Sequence, residues 1–103
     1  MMPPREFVEA AKVNARQAWG EPYAFEYYDR HYACVWARAF AAWSIRMHGA
    51  TLMETGEAIG RDHSTVVNLL AKMEFALAHP KAYADVMKKY EYYKNALDYD
   101  LHS

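Results

Sequence analysis

Residues 60–66, Gly60-Arg61-Asp62-His63-Ser64-Thr65-Val66, decide how this chain is read. Just ahead of them, Thr51-Leu52-Met53-Glu54 has the Ser/Thr-x-x-Glu spacing of a capping box, which predicts a helix from about Leu52. Gly60 is the residue type that closes a helix in the left-handed region, so that helix stops near Ile59. Asp62 can accept backbone N–H groups one turn on, which starts a longer helix at Asp62 or His63. Val66, Leu69/Leu70, Met73 and Leu77 form its apolar stripe. Helix, glycine-containing turn, helix is therefore the pattern over about 52–78. Gly56 lies mid-helix at a cost of about 1 kcal/mol against alanine, which a close helix crossing would explain.

Working outward, Pro3 and Pro4 can open a first helix, with Phe7/Val8, Ala11, Ala15 and Ala18/Trp19 inward and Gly20 at its end. Residues 21–29 read as an acidic, aromatic loop. Asp29 can cap a second helix that runs to about Met47, with Ala33, Trp36/Ala37, Phe40, Trp43/Ser44 and Met47 inward. His79-Pro80 ends the fourth helix and Pro80 opens a fifth, with Tyr83, Val86/Met87, Tyr90 and Leu97 on one face. Residues 99–103 are expected to fray. No alternating pattern of a strand survives, so the class is all-α with about five helices, in one domain over 1–103.

Composition narrows the function classes. A 53% hydrophobic, 24% charged chain is not disordered, and 103 residues support one core. Cys34 is the lone cysteine, so no internal disulfide forms, and no Cys/His spacing suggests zinc. No apolar leader or membrane-length stretch is present, which with the single thiol predicts a soluble, cytoplasmic protein. The net charge of −1 is low for a nucleic-acid binder, but its distribution is uneven. Residues 30–72 carry five Lys/Arg against three Asp/Glu, and both flanks are net acidic. The positive balance therefore surrounds the turn.

That turn aims Arg61, Asp62, His63, Ser64 and Thr65 away from the core, and a polar helix tip of this kind suits base reading in a major groove. Asp62 can both cap the helix and accept from cytosine N4. Thr65 offers a methyl or a hydroxyl, while Arg61 and the free N–H groups suit phosphate. A catalytic reading of Asp62-His63-Ser64 fails, because consecutive helical residues point about 100° apart. The remaining histidines lack metal spacing. No enzyme, metal or cofactor is implied.

Residues 52–66, Leu-Met-Glu-Thr-Gly-Glu-Ala-Ile-Gly-Arg-Asp-His-Ser-Thr-Val, resemble the signature Leu-Pro-Glu-Ile-Gly-x-x-Phe-Gly-Gly-Arg-Asp-His-Thr-Thr-Val. That signature marks the C-terminal DNA-binding domain of the bacterial replication initiator DnaA. Upstream, Arg30-His31-Tyr32-Ala33-Cys34-Val35-Trp36-Ala37-Arg38 is similar to the family's Arg-Gln-x-Ala-Met-x-Leu-Ala-Arg/Lys helix, and Ala71-Lys72-Met73 to its Arg-Lys-Ile. The likeness is sharp over 30–73 and architectural over about 5–97. It implies a Trp-repressor-like helix-turn-helix that binds duplex DNA sequence-specifically, with a link to replication initiation. It places Asp62, His63 and Ser64 on base edges, Thr65, Arg30 and Arg38 on phosphates, and Arg61 in the turn. His31, at the family's Gln position, and Asn68, further along the helix that starts at Asp62 or His63, complete the candidate set.

The departures carry information as well. The family's basic loop before the Arg-Gln helix, with its minor-groove arginine, corresponds here to acidic 21–29. One glycine of the pair is missing, Met53 replaces Pro, and Thr55 replaces a core Ile. No phosphate-binding G-x-x-x-x-G-K-[ST] loop of the initiator's ATPase half is present, so no nucleotide is expected. The competing reading is a non-enzymatic protein-interaction module that keeps the fold and uses 21–29 and the tyrosine-rich C-terminal region. Tyr90, Tyr92, Tyr93 and Tyr99 are too many for one buried stripe, which suits a protein partner or self-association.

Overall fold

The second helix is the hub around which the others pack. In the computed structural model, which describes residues 1–102, the order is α1 (Arg5–Trp19), α2 (Tyr32–Met47), α3 (Leu52–Ile59), α4 (His63–Ala78) and α5 (Ala84–His102). Among the described residues there is no strand, so the all-α class with five helices stands. α2 is buried through Cys34, Trp36, Ala37, Arg38, Ala39, Phe40, Ala41, Ala42 and Ile45, on more than one face. Its alanines let α1, α3 and α4 approach from different sides, as expected of a helix apolar all round. A single inward stripe is thus too narrow for α2. Met47, placed inward by periodicity, is exposed at the end that no neighbour covers.

Local chemistry sets most ends. The α1 terminus at Gly20 has φ 65° and ψ 31°, and its N–H donates to Arg16 and Gln17 carbonyls. Both halves of the capping box form at α3: Glu54 N–H donates to Thr51 Oγ1 at 3.0 Å, and Thr51 N–H to Glu54 Oε1 at 2.9 Å.

Three ends differ from the sequence reading. Asp29 does not cap α2: its Oδ1 accepts from His31 N–H at 3.2 Å, and α2 starts at Tyr32 without a side-chain cap. Arg38 draws the Tyr27 and Asp29 carbonyls toward itself, which delays the chain's entry into the helix. α5 begins at Ala84 rather than Pro80, because Ala82 and Tyr83 N–H groups first donate to the His79 carbonyl in a tight turn. The helix then continues through Tyr99 to His102 instead of fraying, and Ser103 lies outside the described residues. Leu97 is buried, and Asn14 on α1 donates to Asp100 Oδ2 at 2.8 Å, so the last turns have something to hold.

The tyrosines divide sharply. Tyr93 is fully buried, its hydroxyl donating to Ser44 Oγ at 2.8 Å, and Tyr90 packs beside Phe40. Tyr92 and Tyr99 face outward. No helix among the described residues is long and apolar enough to cross a membrane.

Candidate nucleic-acid interface

The turn between α3 and α4 is built on two glycines with different reasons. Gly60, at φ 70°, supplies the left-handed residue that ends α3. Gly56 is needed for space: a Cβ there would lie 2.6 Å from the Arg61 carbonyl oxygen. The Gly56 carbonyl in turn accepts the Arg61 N–H at 2.9 Å. The close approach inferred from a mid-helix glycine is therefore between α3 and the turn backbone. Thr55, which stands where the resembled family has isoleucine, is buried and donates to the Thr51 carbonyl at 2.8 Å, so its hydroxyl is satisfied.

α4 starts as the sequence predicts. Asp62 Oδ1 accepts the Thr65 N–H at 2.8 Å, and Asp62, His63 and Ser64 are all exposed. Hydrogen bonds from the Thr65 backbone and side chain hold the Asp62 carboxyl below the usual aspartate range, so it stays an anionic acceptor. Arg61 is turned back toward the body of the protein. Its guanidinium donates to the Tyr27 and Gly60 carbonyls and lies 4.5 Å from the centre of the Tyr28 ring.

A groove of about 470 Å³ runs beside α4 and collects Arg30, Arg61, Thr65, Asn68 and Lys72, with Tyr28 and Asp29 on its loop side. Thr65, Asn68 and Lys72 are three and four residues apart, so they form one polar ridge. Lys72 did not figure among the site candidates, although its spacing of two turns from Thr65 was the available signal. Its ammonium sits 4.8 Å from the Trp36 ring centre, which orients it at the groove edge. Val67 is also exposed on α4, on the neighbouring face three residues from Ser64.

Two candidates need correction. Arg38 lines the groove wall but is only 4% exposed. Its Nε, Nη1 and Nη2 donate to the carbonyls of Ala24, Asp29 and Tyr27 at 2.6, 2.6 and 2.7 Å. A guanidinium committed to three carbonyls in the interior is a clamp on the loop, and it is not presented to a phosphate. His31 is exposed but stands apart from the groove, with Nδ1 3.6 Å from Glu21 Oε1. Single-position matching could not reveal either outcome, because both depend on where the 21–29 loop folds back.

The loop's acids are not a bare negative wall. Glu26 pairs with Arg16 at 3.0 Å, Asp29 lies 3.7 Å from Arg38, and Glu21 faces His31 and Cys34. Tyr23, Tyr27, Tyr28 and Tyr32 are left exposed around it. No protein-family model, no curated protein and no solved structure matches this chain, so the interface rests on its own geometry.

Proposed function

We propose that this chain binds double-stranded DNA sequence-specifically through the first two turns of α4. The observation that carries the reading is the capped, outward-facing tip Asp62-His63-Ser64, held at a fixed angle by the Gly56 contact and the Arg61 anchor. Such a tip offers acceptors and small polar groups to base edges. Thr65, Arg30 and Lys72 suit phosphates along the groove, Asn68 and Val67 suit base edges or a thymine methyl, and Arg61 sets the turn. The resemblance of residues 30–73 to the initiator's DNA-binding domain supports the same reading, and with it a role in replication initiation or its regulation.

The test is selection of bound sequences from random duplex, followed by a salt series on the enriched site. With the Arg38 and Arg61 guanidinium groups committed to loop carbonyls, Arg30 and Lys72 are the cations of the groove that suit phosphates, and the log–log slope of affinity on salt should be roughly −1.8. The four contacts suggested by the sequence correspond to roughly −3.6. Absence of binding at low salt would instead favour the interaction module, for which the exposed tyrosines of the loop and of α5 speak.

Asp62→Asn keeps a competent cap while replacing an anionic acceptor by an amide. It should change base preference at one position of the selected site by about tenfold, with thermal stability close to wild type. An unaltered preference profile would take Asp62 out of the readout.

A further inference from the structure

The loop that carries the exposed tyrosines is closed at its base by three side chains of different chemistry. Glu21 follows α1, His31 is the residue before α2, and Cys34 lies in the first turn of α2. One donor atom from each lies within 4.8 Å of the other two. Glu21 presents one oxygen to each neighbour: Oε1 is 3.6 Å from His31 Nδ1, and Oε2 is 3.5 Å from Cys34 Sγ.

These separations have a geometric meaning. Around a tetrahedral zinc ion, with metal–sulfur about 2.3 Å and metal–nitrogen or –oxygen about 2.0–2.2 Å, sulfur and oxygen ligands stand roughly 3.6 Å apart. Nitrogen and oxygen ligands stand roughly 3.4 Å apart by the same construction. The two short contacts use different oxygens of Glu21; one Glu21 oxygen, the His31 nitrogen and the Cys34 sulfur lie within 4.8 Å of one another, so small side-chain rotations bring one ligand atom from each residue to these separations.

Thiolate, imidazole and carboxylate together are the donor set of zinc rather than of magnesium or calcium.

We infer that Glu21, His31 and Cys34 form a zinc-binding site that staples the two ends of the 22–30 loop. The metal takes one ligand from each residue and a water in the fourth position. Binding converts the Cys34 thiol to thiolate and releases its proton to solvent. Sequence spacing concealed the site, because Glu21 is ten residues from His31 and the set contains one cysteine. The site does not depend on the DNA-binding reading, since it lies off the α4 groove.

The test uses metal-free protein in a non-thiol reductant, without DNA, titrated with cobalt(II) as the spectroscopic stand-in for zinc. Cys34 is the chain's only thiol, so a thiolate-to-cobalt charge-transfer band reports on this site alone. The expected result is a one-to-one titration of that band together with tetrahedral d–d bands, and loss of both on adding zinc. Cys34→Ser should abolish the charge-transfer band. His31→Gln and Glu21→Gln, changes at incompletely buried positions, should each weaken cobalt binding by more than about tenfold while circular dichroism stays helical. The inference is overturned if saturating cobalt gives no thiolate band, or if affinity is unchanged in either of those two variants.

Discussion

Arg38→Ala is expected to destabilise the protein by about 3 kcal/mol, the largest effect of any single substitution considered. The side chain is interior, and each of its three donating nitrogens meets a different loop carbonyl within 2.7 Å. Truncation removes three charge-assisted hydrogen bonds and leaves the Asp29 carbonyl to find water or stay unpaired, while the Ala24 and Tyr27 carbonyls keep only the Arg61 guanidinium. For a domain of this length the loss corresponds to a fall in Tm of roughly 10 °C or more. Arg38→Lys should recover little, because an ammonium cannot span three carbonyls arranged for a fork. Thermal or denaturant unfolding measures the effect. A loss below about 1 kcal/mol would mean that water replaces the guanidinium at little cost, and that the loop does not need the clamp. The same variant separates a clamp from a phosphate contact. A clamp predicts stability lost first, whereas a surface phosphate contact predicts weaker DNA binding by a fully stable protein.

Gly56→Ala should be destabilising although it places a better helix former inside a helix. Alanine brings about 1 kcal/mol of helix propensity. Against that, the new methyl would stand 2.6 Å from the Arg61 carbonyl oxygen, a backbone atom that cannot swing aside, and 3.5 Å from Val66 Cγ2. Relieving the clash means moving the turn, and overpacking of this kind costs about 1–3 kcal/mol or more. A net loss of about 2 kcal/mol is the expected balance. The displaced turn carries Arg61, so its bond to the Tyr27 carbonyl and its stacking on Tyr28 should weaken together. On the proposed function, DNA affinity should fall further than stability alone requires, because α4 leaves the body of the protein at a changed angle. Equal or greater stability in the variant would show that the α3–turn approach has slack.

The two variants also separate what could be read from one chain from what could not. The helix-turn-helix lies within 27 residues, and its determinants are local: a capping box, a left-handed glycine, an N-cap aspartate and a stripe at 3.6-residue spacing. Each acts through bonds three or four residues long, so α3 and α4 are found with the bounds the residues predict. Candidates inside the motif, Asp62, His63 and Ser64, emerge exposed for the same reason. Arg38 and His31 do not follow their motif positions, because their surroundings come from a loop whose fold no local rule describes. The tyrosines make the same point. Their number predicts that some are exposed, but that Tyr93 is a buried one is decided by Ser44, 49 residues away, which accepts from its hydroxyl.

Sequence alone, then, determined the helical class, the position of the turn and the polar character of the α4 tip, since hydrogen bonds between near neighbours and hydrophobic periodicity are written in consecutive residues. Only the tertiary structure decided that Arg38 is a buried clamp, that Lys72 joins Arg30 on the groove, and that Glu21, His31 and Cys34 meet. Those outcomes depend on how α1 and the 21–29 loop close over α2. That closure is a matter of packing and of carbonyls seeking donors across the fold, which spacing along the chain does not encode.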